Sequence, residues 1–282
     1  IRDPVGGIRM KRTLSLIAAA AVGCSLLSAC GNAGEAAGMN SAGGSASLPI
    51  TTRVFEKEYQ SVDQKVLLGK YSYSLPYLSS DDVSSDIVVE RFNDNTDSML
   101  QEEVEGWEQA MEDAQNYYDR NVGSDDWRYG SHWSDEITYE TCQTDTLLSI
   151  RYTHYIYTGG AHGYAYYTGQ LFAVKEGYFV TIDEMTDDPE GLSQAVSDEI
   201  MRQIEDGDLA VQYSYWNDYA SYIDDWMSGD YSVFFNEAGE MEIIFPAYEL
   251  ASYAAGPQTF SISPEIYGAY CNEYGKVLLG LT

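Results

Sequence analysis

Read along the chain, apolar and polar positions change their period several times. Residues 51–60 alternate, as on a strand with one face covered. Residues 66–78 alternate again, with Tyr71, Tyr73, Leu75 and Tyr77 on one face. After a polar turn over 79–85 the step becomes three or four. Val89, Phe92, Thr96, Met99, Trp107, Met111, Ala114 and Tyr118 then form one stripe of a long helix over 86–118, with Asp, Glu and Gln outside. The run Asn93-Asp94-Asn95 leaves two shorter helices as the alternative. Beyond a polar loop over 121–133, the segments 137–141 and 147–157 read as paired strands. So do 165–174 and 178–182, across Lys175-Glu176-Gly177. Asp188-Pro189-Glu190 opens a helix to about residue 204, with Pro in its first turn. Residues 211–226 are aromatic-rich and helical in their second half. A hairpin joins 231–235 to 240–245, and a short strand at 261–262 and a helix over 264–270 end the pattern. Antiparallel strand runs with a few helices packed on one side predict an α+β fold in two subdomains, 51–163 and 164–282. No strand–glycine loop–helix unit repeats, which disfavours a doubly wound nucleotide fold.

The first fifty residues follow a different rule. Met10, Lys11 and Arg12 are followed by an uncharged apolar run and then Leu27-Ser28-Ala29-Cys30. A basic start, a short apolar stretch and small residues before a cleavage point mark an export signal, here over 10–29. The run falls short of the roughly 20 residues that span a bilayer. Leu-Ser-Ala-Cys resembles the bacterial lipobox, which implies attachment of a diacylglycerol to the Cys30 thiol (palmitate among its acyl chains), cleavage just before Cys30 and extracytoplasmic anchoring to the cell membrane. Residues 1–9 precede the expected start at Met10. Residues 30–50, rich in Gly, Ala, Ser and Asn, are expected to form a flexible tether.

Charge narrows the partners. The chain carries 45 acidic and 15 basic residues, a net of −30. Arg2, Arg9, Lys11 and Arg12 leave with the signal against a single Asp3, so processing makes it more acidic still. This argues against nucleic acid and against anionic lipid as direct ligands, and it favours cationic partners. Plain solubility explains the same charge. Cys24 leaves with the signal, and Cys142 and Cys271 remain, as a disulfide or as two buried thiols.

Chemistry-bearing motifs are few. Thr158-Gly159-Gly160-Ala161-His162-Gly163 joins two aromatic strands, and its glycines permit positive φ. Gly159, Gly160 and His162 would present a ring and backbone N–H groups to a ligand, or simply close a loop. His154 shares a strand face with Ile150, Tyr152 and Ile156 and is expected in the core. With His132 these are the only three histidines, without the spacing of a zinc site. No metal or cofactor is expected. Asp81-Asp82, Asp125-Asp126, Asp187-Asp188 and Asp224-Asp225 lack the ligand spacing of a calcium loop and read as solvated turns. No Gly-x-Ser-x-Gly elbow or Walker-type loop is present. In the segment from Phe245 to Gly256, Tyr248 and Tyr253 flank Glu249. That carboxylate is either a proton-transfer group or the partner of a backbone donor or of a base such as Arg151.

The glycine loop, the 245–256 segment some eighty residues later and the turn Val180-Thr181-Ile182-Asp183-Glu184-Met185 together resemble the paired domains DUF4163 (also called the PdaC domain) and DUF3298, over most of residues 51–270. The resemblance implies an extracytoplasmic protein. The first domain occurs in a peptidoglycan deacetylase and the second in an anti-sigma factor whose outer part binds lysozyme. The deacetylase's catalytic domain, with its Asp and His ligands, has no counterpart here, and the anti-sigma factor's cytoplasmic and membrane-spanning parts have none either. Three readings follow. One is a non-enzymatic envelope binding protein for a cationic protein such as lysozyme. The second is a cell-wall glycan binder using Tyr152, Tyr155, Tyr157, Tyr164, Tyr166 and Tyr167. The third is a hydrolase with His162 and Glu249 as acid and base.

Overall fold

The computed structural model describes residues 48–79, 86–122, 133–229 and 231–281. The expected signal, Cys24, Cys30, most of the tether, His132 and the pairs Asp81-Asp82 and Asp125-Asp126 lie outside the described residues. Leu48 is already buried and Ile50 opens the first strand, so the chain is packed within the last residues of the expected tether.

Alternation becomes a sheet. β1 (Ile50–Gln60) and β2 (Leu67–Leu78) form an antiparallel hairpin, and Tyr73, Leu75 and Tyr77 of β2 are fully buried on one face. The 3.6-residue stripe becomes α1 (Asp86–Asn121), which buries Val89, Phe92, Trp107, Met111 and Tyr118. It is one helix. Asn93 does not break it, because its side chain accepts from Leu78 N (2.9 Å) and donates to Leu78 O (3.1 Å), pinning the helix to the end of β2. Thr96 likewise donates to Pro76 O. Crossing over through α1, the chain enters β3 (Trp133–Gln143) parallel to β2. This is the one pairing that departs from the expected antiparallel pattern, and a long helical crossover is what a parallel pair requires. β4 (Leu147–Tyr157), β5 (Tyr164–Ala173) and β6 (Tyr178–Val180) continue antiparallel, giving a six-stranded sheet ordered β1-β2-β3-β4-β5-β6. The sheet therefore runs past residue 163, where the sequence pattern placed the junction between subdomains.

The second core lies on the sheet's other face. Leu148, Ile150, Tyr152 and Phe172 face the α1 core, while Leu147, Leu171, Ala173 and Val180 belong to the second. That is why the start of β4 is apolar without alternation: both faces are covered. Thr181 and Glu184 form a capping box around a 3-10 turn, Ile182–Met185, so the Val180–Met185 motif is a local structural device. Asp188 then caps α2 (Pro189–Asp206), accepting from Gly191 N at 2.9 Å. Short helices α3 (Leu209–Gln212) and α4 (Tyr219–Met227) follow. β7 (Phe234–Phe235), β8 (Met241–Phe245) and β9 (Gln258–Ile262) make a three-stranded antiparallel sheet. The chain ends in α5 (Pro264–Tyr267) and α6 (Glu273–Leu279). The sequence pattern anticipated α5 but not α6. No helix among the described residues is long and apolar enough to cross a membrane.

Two side chains bind the layers together. Ser149 Oγ accepts from Phe235 N at 2.9 Å. Arg151 donates to Glu140 of β3 and to Glu242 of β8, and its guanidinium lies 4.5 Å from the centroid of Phe234.

Candidate functional site

The two glycine-bearing loops meet. The first leaves β4 with Gly159 at φ 104° and Gly160 at φ 91°, values that favour glycine, and Tyr157 OH donates to Gly160 O at 3.0 Å. Gly163 has no room for a side chain, since a Cβ there would lie 2.4 Å from the Tyr155 ring and 2.7 Å from Ile156 O. The loop holds His162 outward. The second loop leaves β8 and buries Ala247, Leu250 and Ala251, which turns Tyr248 and Tyr253 to the surface.

At the junction the His162 ring stacks on Tyr253, with centroids 3.6 Å apart and planes within 10°. Tyr248 lies 5.7 Å from each of these rings. His162 Nδ1 is 3.1 Å from Gly163 O, which can only accept, so Nδ1 carries the proton in the neutral ring. Nε2 is then the acceptor, and the Tyr248 hydroxyl donates to it at 2.9 Å. Trp216 completes the surface. Its backbone N donates to Leu250 O at 2.9 Å and its indole N–H to Tyr248 O at 3.2 Å. Tyr164, Trp216, Tyr248 and Tyr253 are 38, 38, 49 and 36% exposed, so large ring faces stand open to solvent at one place.

Glu249 is half-buried in the same loop, and loss of water around it pushes its carboxyl above the ordinary range. Burial pushes the Tyr164 phenol up to about 12, with the Glu249 charge as the smaller cause. Arg151 is not the partner of Glu249, because Glu140 and Glu242 occupy it. Of the residues expected at the site, His162, Tyr248 and Tyr253 touch one another, and Gly159 and Gly160 shape the loop that brings them there. Trp216 was not anticipated. The aromatic run over 211–226 was visible in the sequence, but which of its rings would reach the surface depends on the docking of residue 216 against residue 250.

The remaining candidates are elsewhere. Tyr152 is fully buried, and Tyr166 stacks on His154 at 4.4 Å, so the expected tyrosine stripe is largely packed into the sheet and only Tyr164 of the six is exposed. His154 is a core residue, as its strand face implied. Cys142 and Cys271 are free thiols, and Asp224 accepts from Ser197 Oγ at 2.9 Å. Among the described residues no group of three His, Cys, Asp or Glu side chains could hold a metal ion.

A sheet covered by one long helix, a smaller sheet-and-helix core on its opposite face and an aromatic junction of two loops define a two-part α+β protein. Residues 62–165 match the family "Deacetylase PdaC", and residues 182–265 match "Protein of unknown function (DUF3298)". The chain thus joins a PdaC-like segment to a DUF3298-like segment. It is similar to the crystal structure of a DUF3298 family member from Bacteroides fragilis, with a TM-score of 0.64 and 13% identity over 83% of this chain and 97% of that one. A DUF3298 family protein from Pseudomonas aeruginosa is similar with a TM-score of 0.55 and 13% identity, over 81% of this chain and 96% of that one. At such identity the likeness is one of fold. No curated protein matches the chain.

Proposed function

We propose that the protein is an envelope lipoprotein, acylated on Cys30, that acts outside the cytoplasm as a non-catalytic binding module for a cationic protein such as lysozyme. One observation carries the non-catalytic part. Both ring nitrogens of His162 are held in hydrogen bonds and its ring is stacked on Tyr253. Nε2 meets the hydroxyl of Tyr248, a side chain packed in the same ring cluster, and Nδ1 meets backbone, which supports reading the imidazole as part of a fixed surface. The net charge of −30 supports a basic partner, since it would steer such a protein toward this one and make association salt-sensitive.

The test is association with lysozyme in low and in high salt. Binding should be measurable at low ionic strength and fall steeply as salt is added; no binding at low salt overturns this partner. Acylation is checked by metabolic labelling with palmitate, which should mark the wild-type chain and not Cys30→Ala.

A further inference from the structure

Glu249 and the ring cluster leave something unpaired. A carboxylate withdrawn from water is costly unless a cation or a set of donors answers it. Among the described residues no cation pairs with Glu249. Arg151, the base the sequence offered as an example, serves Glu140 and Glu242. Around the same loop stand open aromatic faces, and aromatic faces attract cations through the ring quadrupole. Backbone strain points to the same place. Tyr248 sits at φ 78°, in the left-handed region that a bulky residue adopts only when its surroundings hold it there. Those surroundings are the hydrogen bonds to Tyr248 from Trp216 and from Tyr248 to His162, and their effect is to hold the Tyr248 ring out in solvent.

We propose that this junction is a subsite for the guanidinium of an arginine side chain on a basic polypeptide, with Glu249 as counter-ion and the rings of Tyr248 and Tyr253 as its aromatic wall. The inference rests on reading the protein as a binder of basic partners, and it names the chemical group recognised. Arginine suits the place better than lysine. Its planar guanidinium stacks on rings, takes a carboxylate bidentately and is more weakly hydrated. Net acidity alone would attract either residue anywhere on the surface. The subsite makes the attraction local and selective.

The experiment uses the full chain, with tetra-arginine, tetra-lysine and a tetramer of N-acetylglucosamine as probes. The readouts are the indole N–H resonance of Trp216 and the affinity. Tetra-arginine should move that resonance at lower concentration than tetra-lysine. Glu249→Gln and Tyr253→Ala should each weaken tetra-arginine by about tenfold, the scale of one desolvated cation–π or ion contact. Tyr253→Phe, which keeps the ring, should bind tetra-arginine more tightly than Tyr253→Ala. Glu102→Gln, which removes one exposed charge from α1, should bind like wild type. Equal weakening by Glu249→Gln and Glu102→Gln would reduce the effect to general charge attraction and overturn the subsite. So would a Trp216 resonance that answers the sugar tetramer and not tetra-arginine. The two readings also separate. Tetra-arginine held at Trp216 without lysozyme binding keeps the subsite and removes lysozyme as partner. Lysozyme binding untouched by Glu249→Gln and Tyr253→Ala keeps the partner and removes the subsite.

Discussion

The Tyr248 hydroxyl donates to Nε2 of His162 across 86 positions of sequence. One loop ends a strand of the large sheet and the other ends a strand of the small one, so this hydrogen bond ties the outer rims of the two cores. It also sets the imidazole tautomer, since Nδ1–H is committed to Gly163 O. Tyr248→Phe removes the donor and keeps the ring. A solvent-facing bond of this kind contributes about 0.5–1 kcal/mol, so the melting temperature should fall only slightly while the His162 ring resonances shift. An unchanged His162 spectrum would mean that the bond does not hold the ring.

Tyr248 pays for its position in backbone strain. A non-glycine residue in the left-handed region costs on the order of 1–2 kcal/mol. Both Tyr248→Ala and Tyr248→Gly delete the ring, but only glycine relieves the strain. The glycine variant is therefore expected to be about 1 kcal/mol more stable than the alanine variant in urea unfolding, while neither binds the arginine probe well. Equal stabilities would show that the loop relaxes out of the strained conformation on its own.

Much of the architecture was legible because burial and period agree along β2, α1 and α2. Tyr73, Leu75 and Tyr77 lie inside, as alternation requires, and the α1 stripe is buried from Val89 to Tyr118. Legibility failed where partners distant in sequence decide. The polar run at Asn93 suggested a break, yet its amide finds its partner at Leu78. The start of β4 gave no hint of which face was core, because both are. At the site, the glycine loop and Tyr248–Tyr253 were recognisable as distinct segments. Their contact, and the arrival of Trp216 beside them, depend on how the two cores stack, which no local pattern encodes.

Arg151 is the polar link between the sheets, and its side chain is largely withdrawn from water with that of Glu242. Removing it strands the carboxylate of Glu242 away from water, while that of Glu140 stays half exposed. Arg151→Ala should cost about 3 kcal/mol in urea unfolding, as for other ion pairs broken on one side inside a protein. Arg151→Ala with Glu242→Ala should cost less than the two single losses added together, because the second change removes a charge the first had stranded. Strict additivity would show that Arg151 acts through its packing on Phe234 alone.

Cys142 and Cys271 are unpaired, the first half-buried and the second buried, and burial raises both thiols above their ordinary range. Both should react slowly with a maleimide in the folded chain and readily in urea without reductant, as read by peptide mass mapping. Peptides that label only after reduction would show a disulfide in the isolated protein.

His154 makes the stability of the large sheet depend on acid. It is 3% exposed under α1. Its Nε2 is 3.0 Å from Thr168 Oγ, its Nδ1 has no hydrogen-bond partner, and Glu103 stands 3.7 Å away. Burial lowers its pKa from 6.5 to about 4. Above pH 6.5 both folded and unfolded chains hold the ring neutral, and the contribution to stability is fully present. Between 6.5 and 4 the unfolded chain takes a proton that the folded chain refuses, so stability is lost as pH falls, by up to about 3 kcal/mol. Asp135, buried on the same face and hydrogen-bonded by Tyr73 OH at 2.7 Å, has the opposite sign. Its carboxyl is raised by burial, so acid favours the folded chain there. The signature of His154 is therefore the difference between wild type and His154→Gln in urea unfolding from pH 7 to 4. The wild type should lose more stability than the variant over that window. Parallel pH profiles would show that the ring takes up its proton in the folded chain, with Glu103 moving in to pair with it.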